Sequence, residues 1–182
     1  VNVSVLSISR RRRSQDPSFE LWSESAGPIG DLKAWFAELG VAFISEDQVA
    51  LTRIAAGIPS VTREIGPADL PGEGALVGDC VSLTKGCYLG QEVVSRMHNV
   101  GRPQRGLFRI LGSEAAPICP IALYNRESKK IGELRSAFST ENGWQGVALL
   151  KTRYAEVGES LNHDAGSAEI EGLFAKLREG AK

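Results

Sequence analysis

The chain has 182 residues, of which 42% are hydrophobic and 24% are charged, and its formal net charge is -1. This composition is typical of a globular protein with one domain or two small ones, and the near-neutral charge excludes a strong overall field toward nucleic acid or an anionic membrane. The three cysteines argue against a secreted disulfide framework and favour a reducing compartment, so we expect a cytoplasmic protein. No apolar stretch approaches the roughly 20 residues that span a bilayer, so we expect no membrane span.

The first part of the chain predicts a hairpin followed by two helices. Residues 1–5 alternate between apolar and polar side chains, as a strand does, and 19–22 are expected to return beside them. Apolar residues at helical spacing predict a helix over 29–39, then a short strand over 41–44 and a second helix over 48–56. Because the chain opens inside the first predicted strand, we expect that an upstream portion is lacking.

The second part of the chain changes from a loop and one helix to β-structure. Residues 60–80 are rich in Gly, Pro and acids and predict an ordered loop, and 91–98 predict a helix of about two turns. After residue 103, apolar runs separated by turn signals predict a small antiparallel barrel or sandwich. These runs are 107–111, 118–124, 130–135, 144–150 and a weaker stretch near the end. We therefore predict one domain over 1–102 and a second over 103–182.

The stretch that carries chemistry lies between the predicted loop and the predicted helix. It reads Lys85-Gly86-Cys87-Tyr88-Leu89-Gly90-Gln91-Glu92. Cys87 falls just before the helix, where unpaired N–H groups and the helix dipole favour a negative charge, and Lys85 adds a nearby cation. Both effects lower the pKa of a thiol, and the thiolate is the nucleophile and the metal ligand. The alternative for an isolated cysteine is a small buried hydrophobe beside a turn.

This octapeptide resembles the signature of the folate-binding YgfZ family, which is related to the glycine-cleavage T-protein. The segments 53–59, 93–98 and 102–107 also resemble that family. The resemblance covers most of the chain and is weak before residue 28 and after residue 115. It implies an α+β fold in which a T-protein-like α/β module, incomplete at its N-terminus, is followed by a small C-terminal antiparallel β-barrel.

The resemblance also implies a function. Members of the family are folate-binding accessory proteins that help to assemble or repair iron–sulfur enzymes, including those that modify transfer RNA. Cys87 matches the family's functional cysteine, so the resemblance implies that it acts as a thiolate. The implied partners are folate and iron–sulfur client enzymes, with no resident metal and no direct contact to nucleic acid or membrane. For the cofactor, tetrahydrofolate, the implied contacts are Trp22, Arg53, Lys85, Tyr88, Gln91, Glu92 and Arg96.

One residue departs from the family pattern. Relatives commonly carry Arg-Ile-Glu-Ala-Gly where this chain has Arg53-Ile54-Ala55-Ala56-Gly57. In the related T-proteins the acid at that point looks like a partner for the pterin ring, whose N–H groups suit a carboxylate. Ala55 cannot accept those hydrogen bonds. The resemblance therefore implies a folate site with one hydrogen-bond acceptor fewer than in the related T-proteins.

Two other functions stay open. The first is a tetrahydrofolate-dependent aminomethyltransferase of the T-protein type, whose chemistry needs an acid that Ala55 does not supply. The second is a thiol redox protein that uses Cys87 without folate. We do not expect a classical enzyme, and any enzymatic activity is expected to be a one-carbon transfer.

The remaining polar groups have weaker signals. The arginines at 10–13 suit either a solvated hairpin end or a nucleic-acid patch. Cys80 and Cys87 are too far apart for a Cys-x-x-Cys site, which leaves a metal site that uses both as an alternative. His98 is placed either in the cleft of Cys87 or as a surface cap, and His163, in a polar stretch, is predicted to be exposed.

Overall fold

The computed structural model describes residues 7–11, 14–22, 27–82, 84–100 and 103–174. It divides into two compact units, Val1–Ala56 and Gly57–Lys182; the predicted domain boundary between residues 102 and 103 stays a prediction. The first unit holds β1 (Ser7–Arg11), β2 (Ser18–Trp22), α1 (Gly27–Glu38) and α2 (Glu46–Ala55). The second unit holds α3 (Val77–Cys80), α4 (Gln91–Val100), β3 (Arg105–Gly112), β4 (Ile121–Tyr124), β5 (Lys130–Thr140), β6 (Gly143–Lys151), β7 (Ser160–His163) and β8 (Gly166–Leu173).

The first unit begins with the predicted hairpin. β1 and β2 pair antiparallel, with Ile8 opposite Leu21, which confirms the predicted returning strand. The predicted strand over 1–5 lies outside the described residues. Of the arginine run, Arg10 is exposed and Arg11 Nε lies 3.4 Å from Oε2 of Glu20 across the hairpin, the arrangement expected of a solvated hairpin end.

The predicted strand over 41–44 is wrong, because its first backbone N–H closes helix α1 instead. The N–H groups of Gly40 and Val41 donate to the carbonyls of Ala37 at 3.0 Å and Phe36 at 2.9 Å. Gly40 has φ of +75°, as this type of helix end requires. Residues 41–45 form no strand and connect α1 to α2.

Helix α2 begins earlier than predicted because its N-terminus carries a capping box. The hydroxyl of Ser45 accepts the N–H of Gln48 at 3.2 Å, and the side-chain oxygen of Gln48 accepts the N–H of Ser45 at 2.8 Å. This reciprocal pair satisfies N–H groups that lie near the start of the helix. None of the described helices is long and apolar enough to cross a membrane.

Strands β3 to β8 form a closed barrel in the order β3-β6-β5-β4-β7-β8, with all pairs antiparallel. This confirms the predicted antiparallel barrel, and the weaker final stretch becomes β7 and β8. The hairpin between β5 and β6 turns at Glu141 and Asn142, and Gly143, with φ of +126°, begins β6 opposite Thr140. The barrel core includes Phe108, Ile110, Leu123, Ile131, Leu134, Trp144, Ala148, Leu150, Leu161 and Ile170.

His163 is buried in the barrel, so its predicted exposure is wrong. The residue ends β7 two positions after the buried Leu161, and strand alternation therefore turns it toward the same face. Its ring lies edge-on to Trp144 with 6.1 Å between centroids, and its Nδ1 accepts the N–H of Ala165 at 3.2 Å. The polar neighbours in the sequence concealed this inward position.

The predicted loop over 60–80 is ordered by polar contacts to the barrel. Arg105 Nε donates to Oε1 of Glu73 at 2.7 Å, and the Ser136 hydroxyl donates to Oε1 of the fully buried Glu64 at 2.7 Å. These bonds satisfy carboxylates that would be costly to bury alone. The loop ends in the short helix α3, which the sequence did not predict.

Candidate functional site

The octapeptide leads through a bend and a turn into α4. The N–H of Lys85 donates to the Ser82 hydroxyl at 3.1 Å, and the N–H of Gln91 donates to the Tyr88 carbonyl at 3.2 Å. Gly90, in the turn, has φ of +85°, a conformation that favours glycine. The predicted helix over 91–98 is confirmed, since α4 starts at Gln91.

Cys87 is exposed between this bend and this turn. Cys80 is also exposed, whereas Cys119 is half-buried against the barrel. Burial raises the pKa of Cys119 to about 11, with a further rise from Glu133 and an opposing effect from Arg63. Cys119 is therefore a protonated thiol at neutral pH, which suits the structural role expected of a buried cysteine, while Cys80 and Cys87 are open to solvent.

Lys85 is held against Tyr88. The Lys85 ammonium lies 4.6 Å from the centroid of the Tyr88 ring, which is a cation–π contact. The Tyr88 hydroxyl is buried and has no hydrogen-bond partner within the described part of the chain. Sequence reasoning missed this contact, because the spacing of the two residues does not specify the direction of their side chains across a bend.

The start of α4 presents polar groups beside apolar ones. Glu92 is exposed, Gln91 is half-buried and Val94 is buried. Leu89, in the turn, is fully exposed, and Val93 is 49% exposed. The side chains of Arg96 and His98 lie outside the described residues, so the cofactor contact expected of Arg96 and the two alternatives for His98, the cleft of Cys87 or a surface cap, stay predictions.

The other predicted cofactor residues belong to the first unit. Trp22 ends β2 and is 55% exposed, and Arg53 is buried in the last turn of α2. Ala55 is the last residue of α2 and its carbonyl accepts Nε2 of Gln15 at 3.1 Å. Sequence reasoning thus named residues from two separate units, and their roles toward folate stay predictions.

The octapeptide only partly fits a polar ligand. A buried hydroxyl without a partner is costly, so the Tyr88 hydroxyl is a natural place for a ligand atom to bind. The Gln91 amide and the Glu92 carboxylate offer acceptors of the kind that pterin N–H groups need. Ala55, in the first unit, contributes no side-chain acceptor. Among the described residues, no group of three His, Cys, Asp or Glu side chains lies close enough to hold a metal ion.

A cavity of about 470 Å³ in the second unit has no residue of the octapeptide in its walls. Its walls come from the loop and the barrel, and both of its guanidinium groups are already engaged. Arg135 pairs with Asp69 at 3.4 Å and with Glu133 at 2.8 Å, and Arg63 lies over the ring of Phe138. We therefore centre the candidate site on the octapeptide, where an exposed thiol and an unpaired buried hydroxyl occur together.

Sequence comparison finds relatives among iron–sulfur assembly factors. The chain is 33% identical over 100 residues to the mitochondrial iron–sulfur cluster assembly factor IBA57 of Homo sapiens, a match that covers 54% of this chain and 28% of that protein. It is 33% identical over 105 residues to the same factor of Mus musculus, covering 55% of this chain and 29% of the relative. The match thus spans less than a third of the length of these relatives. No family model matches the chain.

The structural comparison covers more of the chain than the sequence comparison does. The aminomethyltransferase T of the glycine cleavage system from Bartonella henselae superposes with a TM-score of 0.72 at 18% sequence identity. The match covers 94% of this chain and 50% of the solved one. The chain therefore shares its mixed α and β fold with half of that aminomethyltransferase. In this chain the fold includes the closed six-stranded barrel, and the sequence is similar to an iron–sulfur assembly factor.

Proposed function

We propose that the chain is a YgfZ-type accessory protein that helps to assemble or repair iron–sulfur enzymes. The observation that carries this proposal is the exposed Cys87, which lies between the bend and the turn that lead into α4, in the same octapeptide as the Lys85–Tyr88 pair. The exposed sulfur of Cys87 is open to a cluster, a sulfur species or a client protein, whereas Cys119 is half-buried. The similarity to IBA57 supports the same function.

Lys85 supplies a cation in the same octapeptide as this sulfur. Because the ammonium rests on the Tyr88 ring, Lys85 loses less side-chain freedom when an anion or a sulfur species arrives. Thiolates and sulfide carry negative charge, so a held cation favours them over neutral ligands. We assign Lys85 this electrostatic role and Cys87 the direct contact.

Tetrahydrofolate is the proposed cofactor, and it would supply a carrier of one-carbon units. In the second unit, Tyr88, Gln91 and Glu92 would offer hydrogen-bond partners to its polar groups. Trp22 and Arg53 are the proposed contacts from the first unit, and Arg96 is a further proposed contact. The likeness to an aminomethyltransferase supports a folate site in general terms.

The second candidate is a folate-dependent aminomethyltransferase, which the structural match favours. Against it stands Ala55, which places a methyl group where that chemistry needs an acid. Tetrahydrofolate-dependent release of ammonia from an aminomethyl-lipoyl carrier decides between the two. We expect no turnover, and measurable turnover would make the transferase the correct function.

The test of the leading function is genetic. A cell that lacks the full-length gene should lose activity in some iron–sulfur enzymes, and enzymes that modify transfer RNA are the first to assay. Cys87→Ala in the full-length protein should fail to restore that activity. Cys80→Ala is the matched control, because Cys80 is also an exposed cysteine of the second unit, and it should restore activity. Equal rescue by both variants would remove the role assigned to Cys87. The cytoplasmic location stays a prediction, since the relatives named above are mitochondrial.

A further inference from the structure

A group of cations on the barrel has no acidic partner. Lys129, Lys130, Lys151 and Arg153, here called the basic patch, make no ion pair with a carboxylate in the described part of the chain. The other described arginines of the barrel are all paired: Arg105 with Glu73, Arg109 with Glu171, Arg126 with Glu159 and Arg135 with Asp69. Among the described residues, the barrel thus pairs its other arginines with carboxylates and leaves these four cations without one.

Three members of the basic patch, Lys129, Lys151 and Arg153, act on Tyr154, and Lys151 Nζ donates to the backbone carbonyl of Lys130 at 3.4 Å. The Lys129 ammonium donates to the Tyr154 hydroxyl at 2.7 Å and lies 4.8 Å from the ring centroid, and Arg153 Cζ lies 4.7 Å from the same centroid. The pKa of Tyr154 is lowered, first by the hydrogen bond from Lys129 and then by the charges of Arg153, Lys129 and Lys151, against an opposing effect of desolvation. A phenol responds in this way to a positive local potential.

The two turns that present the patch are held by hydrogen bonds. The Asn125 side-chain oxygen accepts the N–H of Lys129 at 2.9 Å, which closes the turn between β4 and β5. Arg153 lies in a single helical turn, Thr152–Tyr154, and both the N–H and the hydroxyl of Thr152 donate to the Gln104 carbonyl, at 2.9 and 3.1 Å. Side chains on ordered turns lose less conformational freedom on binding, so the patch is partly organised in advance.

The chemistry of the patch favours a short acidic partner over nucleic acid. Binding to single-stranded nucleic acid relies on aromatic faces on which bases stack, and the Tyr154 ring is already covered by Lys129 and Arg153. The net charge of -1 also gives no broad positive field for a polyanion. We infer that the basic patch is a docking surface for an acidic segment of a partner protein. This inference does not depend on the role of Cys87.

Fluorescence anisotropy with labelled hexaglutamate, at low ionic strength and with the whole chain, tests this inference. The parent protein should bind, and added salt should weaken the binding. The double variant Lys129→Gln/Arg153→Gln should lose about fivefold to tenfold in affinity. The matched control Arg10→Gln/Lys33→Gln removes the same charge from exposed positions of the first unit and should bind as the parent does.

A second double variant shows whether a loss of binding comes from the lost positive charge or from disturbed packing around Tyr154. Lys130→Gln/Lys151→Gln leaves the bond between Lys129 and Tyr154 in place and should weaken hexaglutamate binding by a similar factor. The inference is overturned if the parent does not bind hexaglutamate, or if both patch variants bind it as tightly as the parent. It is also overturned if oligouridylate binds more tightly than hexaglutamate and depends on the same cations, because the patch would then serve nucleic acid.

Discussion

The ammonium of Lys85 lies 4.6 Å from the centre of the Tyr88 ring, in the same short segment that exposes Cys87. Cation–π contacts at exposed sites contribute about 0.5 to 1 kcal/mol, enough to bias where the ammonium rests. The octapeptide therefore holds a cation in place and also exposes a sulfur.

Substitutions at Tyr88 test the stability of the protein and the binding of folate separately. Tyr88→Phe keeps the ring for Lys85 and removes a buried hydroxyl without a described partner, so we expect an unchanged or higher melting temperature. If that hydroxyl contacts folate, the same variant should bind tetrahydrofolate about twofold to tenfold more weakly by calorimetry. Tyr88→Leu, which removes the ring as well, should lower the melting temperature. Folate binding equal to that of the parent in Tyr88→Phe would exclude this contact.

The two glycines of the octapeptide should differ in their tolerance of a side chain. Gly90 has φ of +85°, so Gly90→Ala should lower the free energy of unfolding by about 1 to 2 kcal/mol. Gly86 does not have a positive φ and a Cβ there would meet no atom within 4 Å, so Gly86→Ala should be nearly neutral. Urea unfolding of both variants measures the difference. Equal losses would show that the turn at Gly90 is not required.

The pair between Arg105 and Glu73 should stabilise the second unit more than a surface ion pair does. Glu73 is buried, and Arg105 donates to both of its carboxylate oxygens, at 2.7 and 2.9 Å. Glu73→Gln should cost about 2 to 3 kcal/mol in unfolding free energy, less than a fully buried pair because Arg105 is partly exposed. Glu171→Gln, which breaks the more exposed pair with Arg109, should cost less than about 1 kcal/mol. A smaller loss from Glu73→Gln than from Glu171→Gln would contradict this order.

Alkylation should distinguish the three cysteines. With iodoacetamide at neutral pH, Cys80 and Cys87 should react well before Cys119, because they are exposed and Cys119 is half-buried with a pKa raised to about 11. The thiolate fraction of Cys119 rises about tenfold for each unit of pH below that value, so its labelling should accelerate up to pH 11. Peptide mass mapping reports each site. Labelling of Cys119 at neutral pH as fast as that of Cys87 would contradict the half-buried position.

The barrel was predictable because its strands carry a clear pattern. Apolar residues alternate along the strands, and Asn142-Gly143 specifies a tight turn, so both the class of fold and most strands follow from local sequence. The prediction of a strand over 41–44 was wrong because the Val41 N–H donates to a carbonyl of α1 and closes that helix. A run of apolar residues does not reveal this kind of helix capping. The predicted exposure of His163 was wrong because strand alternation turns this residue to the buried face of β7, although its neighbours in the sequence are polar.

The site was predictable only as a segment. The octapeptide singled out Cys87 and the helix that follows it, and the exposure of Cys87 agrees with the proposed role. The contact between Lys85 and Tyr88 depends on the direction of two side chains across a bend, which sequence spacing does not specify. The basic patch was missed for the same reason, since its members lie in two turns and at the adjoining ends of β5 and β6, which only the strand pairing brings together.

Chemical blocking of Cys87 tests the central claim most directly. Full-length protein carrying Cys80→Ser and Cys119→Ser keeps Cys87 as the single cysteine of this chain, and it can be added, alkylated or untreated, to extract from cells that lack the gene. The account predicts that untreated protein restores iron–sulfur enzyme activity and that alkylated protein does not. Equal restoration by the alkylated protein would contradict it.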